Sequence, residues 1–127
     1  MECIETKIKE VKLIKPKIHS DSRGFFLETY QKNHFKDAGI PFDFIQDNHS
    51  RSKKKTLRGL HYQLDKMQGK LVRVSNGSVY DVAVDMREGS PTYKEHVSFI
   101  LSDENQYQLY IPPGFAHGFC VISDNAD

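Results

Sequence analysis

The stretch 56–74, TLRGLHYQLDKMQGKLVRV, sets Arg58, His61, Lys70 and Arg73 among apolar residues of strand-like pattern. An imidazole titrates near ~6.5 and can take a proton at neutral pH. An arginine fork holds phosphate through two parallel bonds, and a lysine supplies a point charge. Together these types suit proton abstraction beside an anion or a developing oxyanion. A lone histidine is more often a hydrogen-bonded strand residue, so the cationic neighbours carry the reading. In a flat strand Arg58 and His61 point to opposite faces. One site for both requires a bulge, and Gly59 is a reasonable place for it. Lys70 shares a face with Val72 and Val74, where it either stabilises an enolate oxygen or reaches past them to water.

Other residues admit two readings each. Gln46, Asn48 and His49 in FIQDNHSRS suit uracil- or thymine-type edges and sugar hydroxyls, or cap turns. Arg23 and Glu28 flank Phe25 and Phe26, which either stack a base or fill a core. His117, in PPGFAHGF, is placed on the rim of a strand by the Pro-Gly turn. It could meet His61 across a barrel. Gln63 rather than a second histidine stands two positions after His61, and three or four good ligands do not assemble, so neither a metal nor a cofactor is expected. Asp81 and Asp85 share a face with Ala83 and could orient a histidine. The alternation instead favours Tyr80, Val82 and Val84 as core, leaving both acids to solvent. The run RSKKK at 51–55 reads as a solvated loop, with anion steering as the lesser reading.

These residues need elements to hold them. Loose alternation predicts short strands over 3–18, a turn over 19–24 and a strand over 25–30. Residues 32–38 read as a short helix capped by Asn33 and ended by Gly39, with an extended run over 42–50 after Pro41. Strands follow over 57–64 and 70–74. Asn76-Gly77 predicts a tight hairpin leading into the alternating run 79–87. Strands over 97–101, 108–111 and 119–122 complete the chain. Many short strands, frequent turns and one short helix predict an all-β sandwich or barrel.

The totals bound the answer. A chain of 127 residues makes one domain, 1–127, able to fold without metal or disulfide. With 18 Lys+Arg against 17 Asp+Glu it lacks the basic excess of a nucleic-acid binder. No apolar run approaches the ~20 residues of a membrane span, and MECIETKIKE does not read as a signal peptide. Cys3 and Cys120 are far apart, which fits a reduced, cytoplasmic protein.

QDNHSRS, LRGLHYQ, KLVRV, VYDVAVDMREGSP and IPPGFAHGF, in this order and spacing, resemble the dTDP-4-dehydrorhamnose 3,5-epimerase family, as does DSRGFFLETY. PPGFAHG also resembles the second signature of the wider cupin superfamily. The resemblance implies a double-stranded β-helix (cupin, jelly-roll-like) barrel without a catalytic metal. It implies a homodimer with exchanged N-terminal strands and a cytoplasmic step of dTDP-L-rhamnose synthesis. The substrate would be dTDP-4-dehydro-6-deoxy-D-glucose, inverted at C3 and C5. His61 would be the base and Lys70 would face the C4 oxygen. Arg23 and Arg58 would hold the diphosphate, Gln46, Asn48 and Glu28 the nucleotide, and His117 would line the sugar pocket. The family continues for several dozen residues past the equivalent of Asp127. That tail carries the tyrosine acid and the aspartate paired with the base. The expectation is therefore a truncated epimerase or, alternatively, a non-catalytic sugar-nucleotide-binding cupin; a metal-dependent cupin enzyme is disfavoured by the ligand set.

Overall fold

The computed structural model describes residues 1–41 and 43–127. Its strands are β1 (Glu2–Glu5), β2 (Lys12–Lys15), β3 (Ile18–Asp21), β4 (Gly24–Leu27), β5 (Ser52–Lys53), β6 (Leu57–His61), β7 (Lys70–Arg73), β8 (Ser78–Asp85), β9 (His96–Ser102), β10 (Gln108–Ile111), β11 (Phe115–Val121) and β12 (Asn125–Ala126), with one helix, α1 (Lys32–Asp37). Two four-stranded sheets, β1-β2-β10-β7 and β6-β11-β8-β9, carry the fold, and β12-β5 and β3-β4 form two-stranded pairs. This is the all-β, jelly-roll-like barrel with one short helix that the strand pattern and the resemblance predict.

Alternation fills the barrel. Leu13, Leu109 and Ile111 from the first sheet, with Val74 just past β7, meet Val79, Ala83, Leu101, Phe115 and Val121 from the second in one buried cluster. The outer face of the first sheet has its own smaller core, in which Ile14 and Tyr110 pack against Phe35 and Ile40. Phe35 is the one buried residue of α1, and burial of such a ring stabilises by about 1.5–3 kcal/mol. Burial also pushes the Tyr110 phenol up to about 12, because the charged form loses its hydration.

Several local expectations change. Asn33 does not cap α1: the Gln31 side chain accepts from His34 N at 2.8 Å, so Asn33 lies inside the first turn. Gly39 does end the helix, with φ +79°. Its N–H donates to Lys36 O at 3.0 Å. His19 to Asp21 are not turn but strand, paired with Gly24–Phe26, so only Ser22 and Arg23 make the hairpin tip. The run 43–50 forms no strand, and residue 42 lies outside the described residues. Strand β6 stops at His61 rather than Leu64.

Two errors have topological causes. Asn76-Gly77 does not close a hairpin: β7 pairs with β10, while β8 pairs with β11 and β9, so the turn carries the chain from one sheet to the other. Gly77 is required there by its φ of +76° and by the closeness of the Asn125 carbonyl to where a Cβ would lie. The second error is the face of β8. Asp81 and Asp85 are 0% exposed, whereas Tyr80 on the opposite face is 44% exposed. Asp81 registers with Phe119 and Asp85 with Phe115, which places both acids on the inner wall.

Candidate active site

The geometry begins with a bulge. His61 registers with His117 and Arg58 with Phe119, and the pairing shifts between them. Two β6 residues, Gly59 and Leu60, therefore oppose Gly118 alone. This extra residue turns Arg58 and His61 to the same inner face, as the spacing requires. Both glycines are needed. A Cβ on Gly59 would stand 2.5 Å from His117 O, and one on Gly118 would stand 2.7 Å from Arg58 O.

His117 and Asp81 form the electrostatic centre of the wall. His117 Nε2 lies 3.0 and 2.8 Å from the two Asp81 oxygens, with side chains 11% and 0% exposed. A carboxylate only accepts, so Nε2 carries the hydrogen and donates it. His117 is thus within a long strand, not on a rim, and it rather than His61 takes Asp81 as partner. Asp85 is committed elsewhere. It accepts from Arg87 Nε and Nη2 at 2.9 and 2.8 Å, and from Ser90 Oγ and Thr92 Oγ1, each at 2.6 Å. Arg87 in turn sits 4.8 Å over the Phe115 ring, so this network braces the cavity floor.

Lys70 opens β7 on the facing sheet, opposite Ile111 in register. Burial lowers its ammonium below the ordinary lysine range, and the negative charge of Asp81 works against that. His61 and Lys70 line one cavity of about 210 Å³ with Tyr62, Gln63, Met67 and Phe115. That volume falls below the ~300–1,000 Å³ of a pocket enclosing a drug-sized ligand. It suits a sugar ring, leaving a nucleotide outside. A cation and an imidazole thus line a small space, with the carboxylate-backed His117 in register beside His61 on the neighbouring strand, an arrangement fit to remove a proton and hold the resulting oxyanion.

The other expected residues are placed variously. Arg58 is on the same inner wall, its Nε donating to Ser52 Oγ at 2.9 Å. Gln46 donates to Asn48 Oδ1 at 3.0 Å in the exposed run before β5. Arg23 and Glu28 are not on the cavity wall. Arg23 sits at the tip of the β3–β4 hairpin, with Nη2 2.6 Å from Asp21, and its side chain is 88% exposed. Glu28 lies 2.9 Å from His34 Nδ1, also exposed. Ser52 was missed, and Asp81, weighed as a carboxylate that could orient a histidine, was set aside for a solvent-facing reading. The alternating Phe115, His117, Phe119 and Val121 offer the one signal for Asp81, since a strand of bulky inward residues must face an inward neighbour.

The family model for dTDP-4-dehydrorhamnose 3,5-epimerase matches residues 5–127. The chain is 55% identical over 127 residues to the dTDP-4-dehydrorhamnose 3,5-epimerase of Neisseria gonorrhoeae, covering 100% of this chain and 39% of the relative. It is 54% identical over 129 residues to that of Shigella flexneri, covering 100% and 71%. The chain therefore spans between about two fifths and about seven tenths of these relatives. Among solved structures, the dTDP-6-deoxy-D-glucose-3,5-epimerase of Legionella pneumophila Philadelphia 1 in complex with dTDP-4-keto-L-rhamnose superposes with TM-score 0.95 at 56% identity, over 98% of this chain and 67% of that one. The Bacillus anthracis str. Ames dTDP-4-dehydrorhamnose 3,5-epimerase with TDP and PPi bound gives TM-score 0.94 at 43% identity, over 98% and 73%. Sequence and fold agree over nearly every residue, and the chain belongs to the dTDP-4-dehydrorhamnose 3,5-epimerase family.

Proposed function

We propose that this chain, a single domain over 1–127, binds a dTDP-4-keto-6-deoxy sugar in the cytoplasm and inverts C3 and C5 through enolates, as a metal-independent epimerase. The observation that carries the reading is that His61 and Lys70 line one cavity, with the His117–Asp81 pair in register beside His61. The C3 and C5 hydrogens lie α to the C4 ketone. Neutral imidazole removes them only if the C4 oxyanion is stabilised as it forms. His61 takes the proton from carbon, and inversion is completed when an acid on the opposite face of the sugar returns one, the step for which the family uses a tyrosine beyond the equivalent of Asp127. Lys70 faces the oxygen as ammonium, and His117 lines the sugar pocket with its ring held by Asp81. Each well-aimed donor contributes roughly 10²–10³ in rate. Arg58 holds the diphosphate, and Gln46 and Asn48 meet the nucleotide outside the small cavity. Free Cys3 and Cys120 suit a reducing compartment.

Arg23 and Glu28 enter through a second copy. The β3–β4 hairpin is exposed along both strands apart from half-buried Leu27, and Phe25 and Phe26 are 60% and 70% exposed. Such a hairpin is the kind of element exchanged between protomers. In the homodimer it would carry Arg23 and Glu28 to the partner's cavity.

Solvent exchange at carbon needs only a base and a held enolate, so it tests the residues present. The chain is expected to incorporate deuterium at C3 and C5 of the sugar. His61→Asn abolishes that exchange while dTDP affinity stays within about two-fold. Binding of dTDP without exchange in the unsubstituted chain would instead mark a non-catalytic sugar-nucleotide binder. Mixing Arg23→Ala and His61→Asn chains restores exchange only if hairpins cross between protomers, because only then does one site in the mixed dimer keep both residues.

A further inference from the structure

We propose that Ser52 is a positioning residue for Arg58, locked in place by β12 and holding the guanidinium ready for a diphosphate. The inference rests on the reading of Arg58 as the diphosphate contact. Ser52 is 6% exposed, and its Oγ accepts from Arg58 Nε at 2.9 Å. That single bond fixes the roll of the fork. Among the described residues Nη1 and Nη2 of Arg58 have no protein partner, so the paired donors that match two phosphate oxygens remain available.

The choice of a hydroxyl has an electrostatic consequence. Arg51 is paired with Asp127, Lys54 with Asp124 and Arg23 with Asp21. Each of those cations has its charge partly cancelled. Arg58 is held by a neutral group and keeps its full charge for an anion. A carboxylate at position 52 would orient the fork equally well and compete with the ligand for it.

The support behind Ser52 comes from the far end of the sequence. Ser52 registers with Ala126 and Lys53 with Asn125. Lys54 N donates to Asp124 O at 2.8 Å and Lys55 N to Val121 O at 2.9 Å. Ala126 is itself part of the barrel core, 4% exposed. Arg51 Nε donates to Asp127 Oδ1 at 2.6 Å, closing the other end of the short strand. The Ser52 backbone is therefore firmly held and its side chain buried, and an acceptor fixed in this way reduces the ordering cost of the long arginine side chain on binding.

The test uses the full chain and dTDP titrated by calorimetry, with thymidine titrated by NMR as the phosphate-free control. Ser52→Ala is expected to weaken dTDP binding about 3–10-fold, the worth of one net hydrogen bond, and to leave thymidine binding unchanged. Ser52→Cys, nearly isosteric with a weak acceptor, shows the same loss and serves if the alanine variant folds poorly. Ser52→Thr, which keeps the hydroxyl, stays within two-fold. In an Arg58→Ala background Ser52→Ala adds nothing further. Equal losses for dTDP and thymidine, or an undiminished Ser52 effect without Arg58, would overturn the proposal, as would full dTDP affinity in Ser52→Ala when Arg58→Ala is weakened. Should Arg58→Ala itself bind dTDP normally, the diphosphate role of Arg58 falls, and the proposal with it.

Discussion

Replacing Gly118 by alanine tests whether the bulge builds the site. An added Cβ would lie 2.7 Å from Arg58 O, 3.2 Å from Leu60 Cδ2 and 3.3 Å from Gly59 Cα. Ordinary contact begins near 3.4 Å, so the Arg58 carbonyl must retreat by about 0.7 Å against a backbone fixed on both sides. Overpacking of this kind costs about 1–3 kcal/mol. With an unfolding entropy near ~2.1 cal/mol/K per residue, each kcal/mol lowers the midpoint by about 4 °C in a chain of this length. Gly118→Ala is therefore expected to melt about 4–11 °C lower. The kinetic effect is larger, because a misplacement of about 1 Å costs up to ~10²-fold in rate. Deuterium exchange at the sugar should fall about 10–100-fold while the far-ultraviolet circular dichroism stays that of the folded barrel. Gly89→Ala is the control. Its φ is +81° and nothing lies within 4 Å of its Cβ, so only backbone strain of about 1–2 kcal/mol opposes it and exchange is unchanged. If Gly118→Ala melts within about 1 °C of the parent and exchanges within two-fold, the bulge is not what aligns Arg58 with His61.

Asp81→Asn keeps the volume and removes the charge. Lys70 then loses the one influence that offsets its burial, so its ammonium is lost at still lower pH. The alkaline limb of the exchange rate, where activity falls as Lys70 deprotonates, should shift toward lower pH, with dTDP affinity within two-fold. An unmoved limb would remove Lys70 as the group titrating there. Asp85→Asn should destabilise by about 1–3 kcal/mol in urea titrations, since it strips the Arg87 guanidinium of its buried charge partner and leaves it only the half-exposed Glu10. The Arg87 hydrogen bond holds the Asp85 carboxyl well below the usual carboxylate range. Its folded value lies under its unfolded one, so this stability is complete above about pH 4 and is lost as pH falls further. The parent should therefore lose stability below about pH 4 more steeply than the variant. Phe35→Ala removes the buried ring of α1 and should cost about 3–5 kcal/mol, read as a lower urea midpoint, without altering exchange at the distant cavity.

Much of the fold was legible because strands announce themselves through local alternation. Strands β9 and β10 lie almost where the pattern puts them. Gly59 could be named as a bulge from sequence because two chemically related residues stood three apart around it. Asn76-Gly77 misled for the opposite reason. Its positive φ is a local property that a dipeptide can signal, but which strands it joins depends on Asn125 and on the sheet order, both remote in sequence.

The face of β8 marks the limit more sharply. Alternation assigns residues to two sets and does not say which set is inside. Usually polarity decides, and here it pointed the wrong way: Tyr80, Val82 and Val84 are the more apolar set and face outward, while Asp81 and Asp85 are buried. A buried carboxylate is costly unless paired. Each of these acids is paired, with His117 and with Arg87. The inversion is thus the trace of chemistry in the fold: the strand gives up inward apolar surface to place one carboxylate behind a histidine and near the lysine of the opposite sheet. A pattern rule that assumes the core is apolar must fail at the strand where the site is built.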